Sequence, residues 1–387
     1  MGDAVMKSFV ISKTALILLT VAFDASSFAK AETTQIVKLG AVAPLTGGLA
    51  HQGRDSENGA KLAVDEINAK GLVVGGNKVV LWLEQEDDAA DPRTATQIAQ
   101  KLVDDKVVAV IGHQTSGTSI PASRIYRDAG IVQITPASTN PLYTQQGFKT
   151  TYRLIATDAQ QAPALATYAA KNMNAKTIAI VDDATAYGQG LADQFSNNVQ
   201  ALGIKVLSRD ASTDKTVDFK GILTKIKGEN PDIIMYGGSD AAGAQLVRQA
   251  AQLGLRAKVL SGDGLCTEKM GEMAGDASKN LVCSEAGLPL EMMPGGEAFK
   301  KRYVQKFNQP IQSYAPFAYD AVNVVVDAMK RANSTDPARI LDAMQATQYN
   351  GVIGRIAFDS KGDLKETGIS LYQFKNGKKN LLQVVRM

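Results

Sequence analysis

The run VVAVIGHQTSGTSIPASRIY, residues 107–126, leaves a chain few ways to fold. Residues 107–111 are β-branched or small and apolar throughout, the pattern of a strand buried on both faces. Ile120, Ala122, Ser123 and Tyr126 then fall at helical spacing. Between them His113-Gln114-Thr115-Ser116-Gly117-Thr118-Ser119 forms a hydroxyl-rich loop at a strand's carboxyl end, where open α/β sheets bind ligands. Free backbone N–H groups and the helix dipole favour an anion at such a place. A second junction follows at once, with a strand over 132–135 and then Pro136-Ala137-Ser138-Thr139-Asn140-Pro141. Two such loops make a polar pocket with no evident catalytic group. The same residues admit a plainer reading, in which Ser116 and Thr139 only cap helices.

Strand and helix alternate on both sides of this run. Strands are predicted over 35–43 and 78–83. Helices are predicted over 56–69, with Ala60, Leu62, Ala63 and Ile67 on one face, and from Asp91-Pro92 to 103. The pattern then restarts, with helices over 157–173, 190–202, 219–227 and 241–253 and strands over 177–182, 205–207, 232–236 and 257–260. Such alternation predicts parallel sheets with helices on both faces, and 387 residues are too many for one ordinary core. The expected fold is therefore α/β, with two doubly wound parallel-sheet lobes. Helices over 299–307, 317–332 and 337–345, with short strands over 354–359 and 369–373, are too little for a third domain. They are expected to complete the first two, with residues 32–157 plus 287–364 in one lobe and 158–286 plus 365–387 in the other. The chain then crosses more than once, first near 151–154 and last near 359–364. A hinge of several segments suits closure around a ligand.

Residues 1–31 read as a secretory signal peptide: Lys7 and Lys13, an apolar run over 15–23, and the small-x-small pattern Ala29-Lys30-Ala31. In an exported chain Cys266 and Cys283 are expected to form a disulfide worth roughly 3 kcal/mol, with two buried thiols as the other reading. The net charge of +3 lacks any basic cluster and gives no reason to expect a nucleic-acid partner. His51 and His113 are the only histidines, so no metal site of Cys/His spacing is expected, and His113 reads as structural. No nucleophile elbow, Walker loop or dinucleotide fingerprint occurs. The pairs Asp87-Asp88 and Asp182-Asp183 read as solvent-facing strand ends. The residues predict neither an enzyme nor a cofactor.

Several segments together resemble a type I periplasmic solute-binding protein of an ABC importer, in particular the branched-chain amino-acid (Leu/Ile/Val) binding proteins. They are Pro44-Leu45-Thr46-Gly47, Gly59-Ala60 through Gly71, Val110-Ile111-Gly112-His113 and Ile134-Thr135-Pro136-Ala137. Asp183 through Tyr187-Gly188-Gln189-Gly190, Tyr236-Gly237-Gly238 and Gly354 through Leu364 continue the likeness over essentially the whole mature chain. The resemblance implies a periplasmic monomer that grips an amino acid between its lobes and hands it to a membrane permease. A periplasmic sensor of amides or other small solutes is the alternative on the same fold. By motif position, Ser116 and Thr139 would hold the carboxylate with hydroxyls and backbone N–H groups, and Ser138 would be among the ligand-binding residues. The Ala137 carbonyl and Asp263 would take the ammonium, and Tyr187 would pack near the ligand.

This sequence also departs from the pattern. Asp263 stands where the branched-chain binders usually have Glu. Gln52 and Ser239 occupy positions where those proteins set aromatics against the aliphatic side chain, while Tyr314 keeps an aromatic. Buried polar groups need partners, so Gln52 or Ser239 would meet a polar ligand group or water. A disulfide of some members joins positions held here by Ala90 and Thr115, so Cys266–Cys283 would be a different bridge.

Overall fold

A computed structural model describes residues 1–3 and 34–387, so the leader reading lies almost wholly outside the described residues. The first sheet has strands β1 (Thr34–Ala43), β2 (Leu72–Val74), β3 (Asn77–Asp87), β4 (Ala109–Ile111), β5 (Val132–Thr135) and β6 (Thr151–Arg153). Their order is β2-β3-β1-β4-β5-β6. All pairs are parallel except β2, which returns antiparallel on β3. Helices α1 (Ala50–Lys70), α2 (Pro92–Asp104), α3 (Ser116–Ala129) and α4 (Leu142–Gln145) connect them. The chain leaves β1 for β3 on one side and returns to β4 on the other, so β1 and β4 flank a topological switch point.

The second lobe repeats the plan. Strands β7 (Thr177–Asp182), β8 (Lys205–Ala211), β9 (Ile233–Gly237), β10 (Lys258–Ser261) and β11 (Leu281–Glu285) are parallel. Helices α5 (Asp158–Lys171), α6 (Ala186–Ala201), α7 (Lys220–Glu229), α8 (Asp240–Gln252) and α9 (Met270–Ala274) accompany them. Here β7 and β9 flank the switch.

The tail divides between the lobes. Helices α10 (Gly296–Phe307), α11 (Ala315–Ala332) and α12 (Pro337–Met344) are followed by the hairpin β12 (Tyr349–Asn350) and β13 (Arg355–Ile356). Val322, Val325 and Met329 of α11 share a core with Ala60, Ala63 and Val64 of α1. Gly59 permits the approach, since a Cβ there would lie 2.2 Å from the Ala315 carbonyl oxygen. Strands β14 (Gly368–Lys375) and β15 (Lys378–Arg386) extend the second sheet antiparallel beyond β11. Three segments thus run between the lobes, and Ala156 N–H donates to the Ala286 carbonyl at 3.0 Å to join the first two.

Several local readings change. Residues 151–153, read as a crossing, are the edge strand β6, and the crossing follows them. The Ser116–Ser119 stretch is the first turn of α3 rather than loop. The strand over 354–359 shrinks to two residues, while β11 and β15 escape sequence reading. β11 is short, and β15 is a half-exposed edge whose lysines and asparagine mask its periodicity. Nor do the paired aspartates face solvent: Asp88, Asp182 and Asp183 are buried.

Candidate functional site between the lobes

The carboxyl ends of the switch-point strands converge on a cleft of about 560 Å³. The first lobe contributes the segment after β1 and Gln114, Thr115, Ser116 and Gly117 after β4. The second contributes Asp183 to Tyr187, Ser239 and Asp263. Asp263 and Tyr314 also border a larger hinge-side cavity of about 740 Å³, but the hydroxyl-rich loops belong to the smaller one.

One end of the cleft is built for negative charge. Thr115 caps α3 in an extended conformation, and helix geometry leaves the N–H groups of Ser116 and Gly117 without intrahelical acceptors. The macrodipole adds partial positive charge there. His113 underpins the turn: its Nδ1 meets Asp88 at 2.9 Å, its Nε2 meets the Tyr126 hydroxyl at 3.1 Å, and it is fully buried. Its carbonyl accepts from Ser119 and Thr135 Oγ groups, each at 2.8 Å. This is a structural histidine.

The second loop is clamped from behind. Arg153, fully buried, donates to the carbonyls of Ser138 at 2.5 Å and Asn140 at 3.0 Å, and to Asp363 at 2.8 Å. Sequence reading misses Arg153, because a lone arginine in a short edge strand carries no pattern. The Ser138 hydroxyl is engaged by Ser119 Oγ and by the Gln114 carbonyl, to which it donates at 3.0 Å. Ser116 and Ala137 do line the cleft, with Ser116 Oγ accepting from Asn140 N–H at 3.2 Å. Thr139 is buried and lies outside the cleft lining, with its side chain beside the Asp158 carboxyl.

The other end is a single held carboxylate. Asp263, 4% exposed, lies in a 3-10 turn after β10. Its Oδ1 accepts from Gln161 Nε2 at 2.8 Å and the Tyr187 hydroxyl at 3.1 Å, and its Oδ2 accepts from the Tyr314 hydroxyl at 2.9 Å. Burial raises its pKa against the opposing pull of these donors. Gln161 is oriented by Ser284, whose Oγ donates to its carbonyl at 2.8 Å and so turns the amide N–H₂ toward Asp263. Beside it Asp158 is fully buried, and desolvation together with the Asp263 charge pushes it up to about 8. Asp158 therefore keeps its proton at neutral pH.

Tyr314 stands at the start of α11, and Asp55 of α1 fixes it there. The buried Asp55 carboxylate accepts from the Tyr303 hydroxyl and from the N–H groups of Gln312, Ser313, Tyr314 and Ala315, all within 2.7–3.0 Å. Nothing in the spacing of Asp55 marks it for this.

Gln52 has a partner within the protein. It borders the cleft, yet its Nε2 donates across to Asp240 Oδ1 at 3.0 Å. His51 Nε2 meets Asp240 Oδ2 at 2.8 Å, and Thr267 donates to the same oxygen at 2.6 Å. With Asn140 Nδ2 donating to the Ala186 carbonyl at 2.6 Å, these bonds close one lobe on the other. Ser239 lines the cleft and precedes α8 without a side-chain capping bond. Two residues of the lining, Gln114 and Asp183, each have one buried side-chain oxygen, Oε1 and Oδ2, that accepts no hydrogen bond. Burial pushes Asp183 up to about 6. Cys266 and Cys283 are joined in a disulfide.

Two α/β lobes with switch points facing across a hinged cleft define the type I periplasmic binding fold. The chain belongs to the periplasmic binding protein family, whose model matches residues 36–379, on the branch of the branched-chain amino-acid ABC-transporter binding proteins. It is 36% identical over 344 residues to the Leu/Ile/Val-binding protein BraC3 of Rhizobium johnstonii, covering 88% of this chain and 92% of that one. It is 33% identical to the leucine-, isoleucine-, valine-, threonine- and alanine-binding protein of Pseudomonas aeruginosa, covering 87% and 90%. The crystal structure of the leucine-binding protein LivK from Thermotoga maritima superposes with a TM-score of 0.84 at 31% identity, covering 90% and 98%. That of LivJ from Streptococcus pneumoniae, in complex with isoleucine, gives 0.83 at 27% identity, covering 91% and 100%. No described helix is long and apolar enough to cross a membrane, and no described cluster of His, Cys, Asp or Glu could hold a metal ion.

Proposed function

We propose that the protein is an exported, non-catalytic amino-acid receptor whose lobes close on one ligand and present it to the membrane permease of an ABC importer. One observation carries this reading: a buried carboxylate, Asp263, shares a cleft with the free N-terminus of α3. An α-amino acid is a carboxylate and an ammonium two bonds apart, and it matches both ends. Its carboxylate would take the Ser116 and Gly117 N–H groups and the hydroxyls of Ser116 and Thr139. Its ammonium would take Asp263 and the Ala137 carbonyl. Charge-assisted hydrogen bonds of about 1.5–3 kcal/mol each make this head-group grip the main source of affinity.

The relatives support an amino acid as ligand, since their names cover aliphatic side chains and, in one case, threonine. Closure supplies the signal, because the liganded closed form differs in surface from the open one. Thermal shift of the ligand-stripped mature protein against all amino acids tests the reading. Stabilisation by at least one α-amino acid, lost when its amine is acetylated, is expected. Silence across the amino acids would end it, and a response to simple amides alone would point to a sensor instead.

A further inference from the structure

We infer that Gln161, aimed by Ser284, is a positioning residue for the ligand's ammonium, on which it acts through Asp263 without touching the ligand. The inference rests on the amino-acid reading above. Gln161, on α5, is fully buried and is not part of the cleft lining. Its amide N–H₂ donates to Asp263 Oδ1 at 2.8 Å and to Asp158 Oδ1 at 3.3 Å. Its amide carbonyl accepts from Ser284 of β11, which is also fully buried. The other two donors to Asp263 are placed differently. Tyr314 packs in the core of the first lobe, so its bond to Oδ2 is lost when the lobes part. Tyr187 stands in the cleft lining, and its hydroxyl also accepts from Gly264 N–H at 2.9 Å. Gln161 is the donor that shares a lobe with Asp263 and sits wholly behind it.

The relay is built into the frame of that lobe. Successive residues of a strand face opposite ways, and β11 uses both faces. Cys283 packs among side chains of α8 and α9 and is bonded to Cys266, while the next residue, Ser284, reaches Gln161 on α5. Cys266 N–H in turn closes the Asp263 turn by donating to the Asp263 carbonyl at 2.9 Å. The turn that carries the carboxylate and the strand that aims its donor are thus joined covalently. A carboxylate supported in this way has little freedom left to lose when a ligand arrives, and preorganisation of that kind adds affinity. Without the amide, Asp263 of the open protein would keep only the Tyr187 hydroxyl and would be free to rotate.

A double-mutant cycle separates positioning from a merely structural role. Dissociation constants are measured by calorimetry for the tightest-binding of the twenty protein amino acids. Gln161→Met, which keeps length and removes the amide, is expected to weaken binding about tenfold or more. In an Asp263→Asn background the same substitution is expected to change affinity little, because the group it acts through is gone. Ser284→Ala is expected to weaken binding about threefold and to add nothing to Gln161→Met. Unchanged affinity in a folded Gln161→Met protein, or a loss of full size in the Asp263→Asn background, would overturn the inference while leaving the amino-acid reading intact. Binding of no amino acid at all by the wild type would overturn both. Should Gln161→Met fail to fold, Ser284→Ala with and without Asp263→Asn decides by the same comparison.

Discussion

Asp240, at the first turn of α8, accepts from Gln52 at 3.0 Å and meets His51 at 2.8 Å, both residues of the opposite lobe. The polar residue that sequence comparison places against the ligand's side chain is thus engaged in holding the lobes together. Asp240→Ala removes the acceptor from both, and from Thr267 as well. Its expected effect is an affinity about tenfold weaker, expressed as faster ligand release in stopped-flow measurements, since losses of closing contacts act mostly on dissociation. An unchanged release rate would mean that these bonds do not contribute to the closed state.

Asp263→Asn keeps the volume and loses the charge that faces the ligand. Affinity for an amino acid should fall by a hundredfold or more, because a buried ammonium is left without its counter-charge, a loss of about 3–5 kcal/mol. The ligand-free protein should remain folded by circular dichroism.

Stability should depend on pH in a direction set by Asp158. Its folded pKa of about 8 lies above the ordinary 3.8, so between those values the folded state holds a proton that the unfolded chain releases. This group's contribution to stability therefore falls as pH rises from about 4 to about 8. Asp158→Asn mimics the protonated acid. It should raise the melting temperature at pH 8 and change it little at pH 4. A residual slope in the same direction is expected from Asp320, raised to about 7, and Asp183, raised to about 6.

Asp55→Ala strips the acceptor from four backbone N–H groups and the Tyr303 hydroxyl. Leaving several buried donors unpaired should cost more than about 3 kcal/mol of folding stability in denaturant titration. Affinity should drop as well, because Tyr314 loses its anchor beside Asp263.

Much of the architecture was legible because buried parallel strands and amphipathic helices have distinct periods, and residues 107–135 announced both the sheet and its ligand-binding edge. Ser116 stood out as a hydroxyl at a strand end, whereas Asp263 was singled out only through the family resemblance. What escaped depends on contacts far apart in sequence. Gln161 and Ser284 meet across 123 positions to aim an amide at Asp263. Arg153 reaches Asp363 across 210. Gln52 does border the cleft, but its bond to Asp240, 188 positions away on the other lobe, could not be read from the sequence. Gln114 stood in the first run of the chain to be read, but only the fold shows its side-chain oxygen buried and unmatched.

His51, Gln52 and Asp55 all lie in the first two turns of α1, and Asp55 carries the Tyr314 segment with it. Three bonds to the second lobe, two to Asp240 and one to Asp263, therefore attach through one rigid helix end. Because one helix end carries all three, parting of the lobes is expected to break the three bonds together. Damage at any one of these residues should then shift the open and closed populations as a whole.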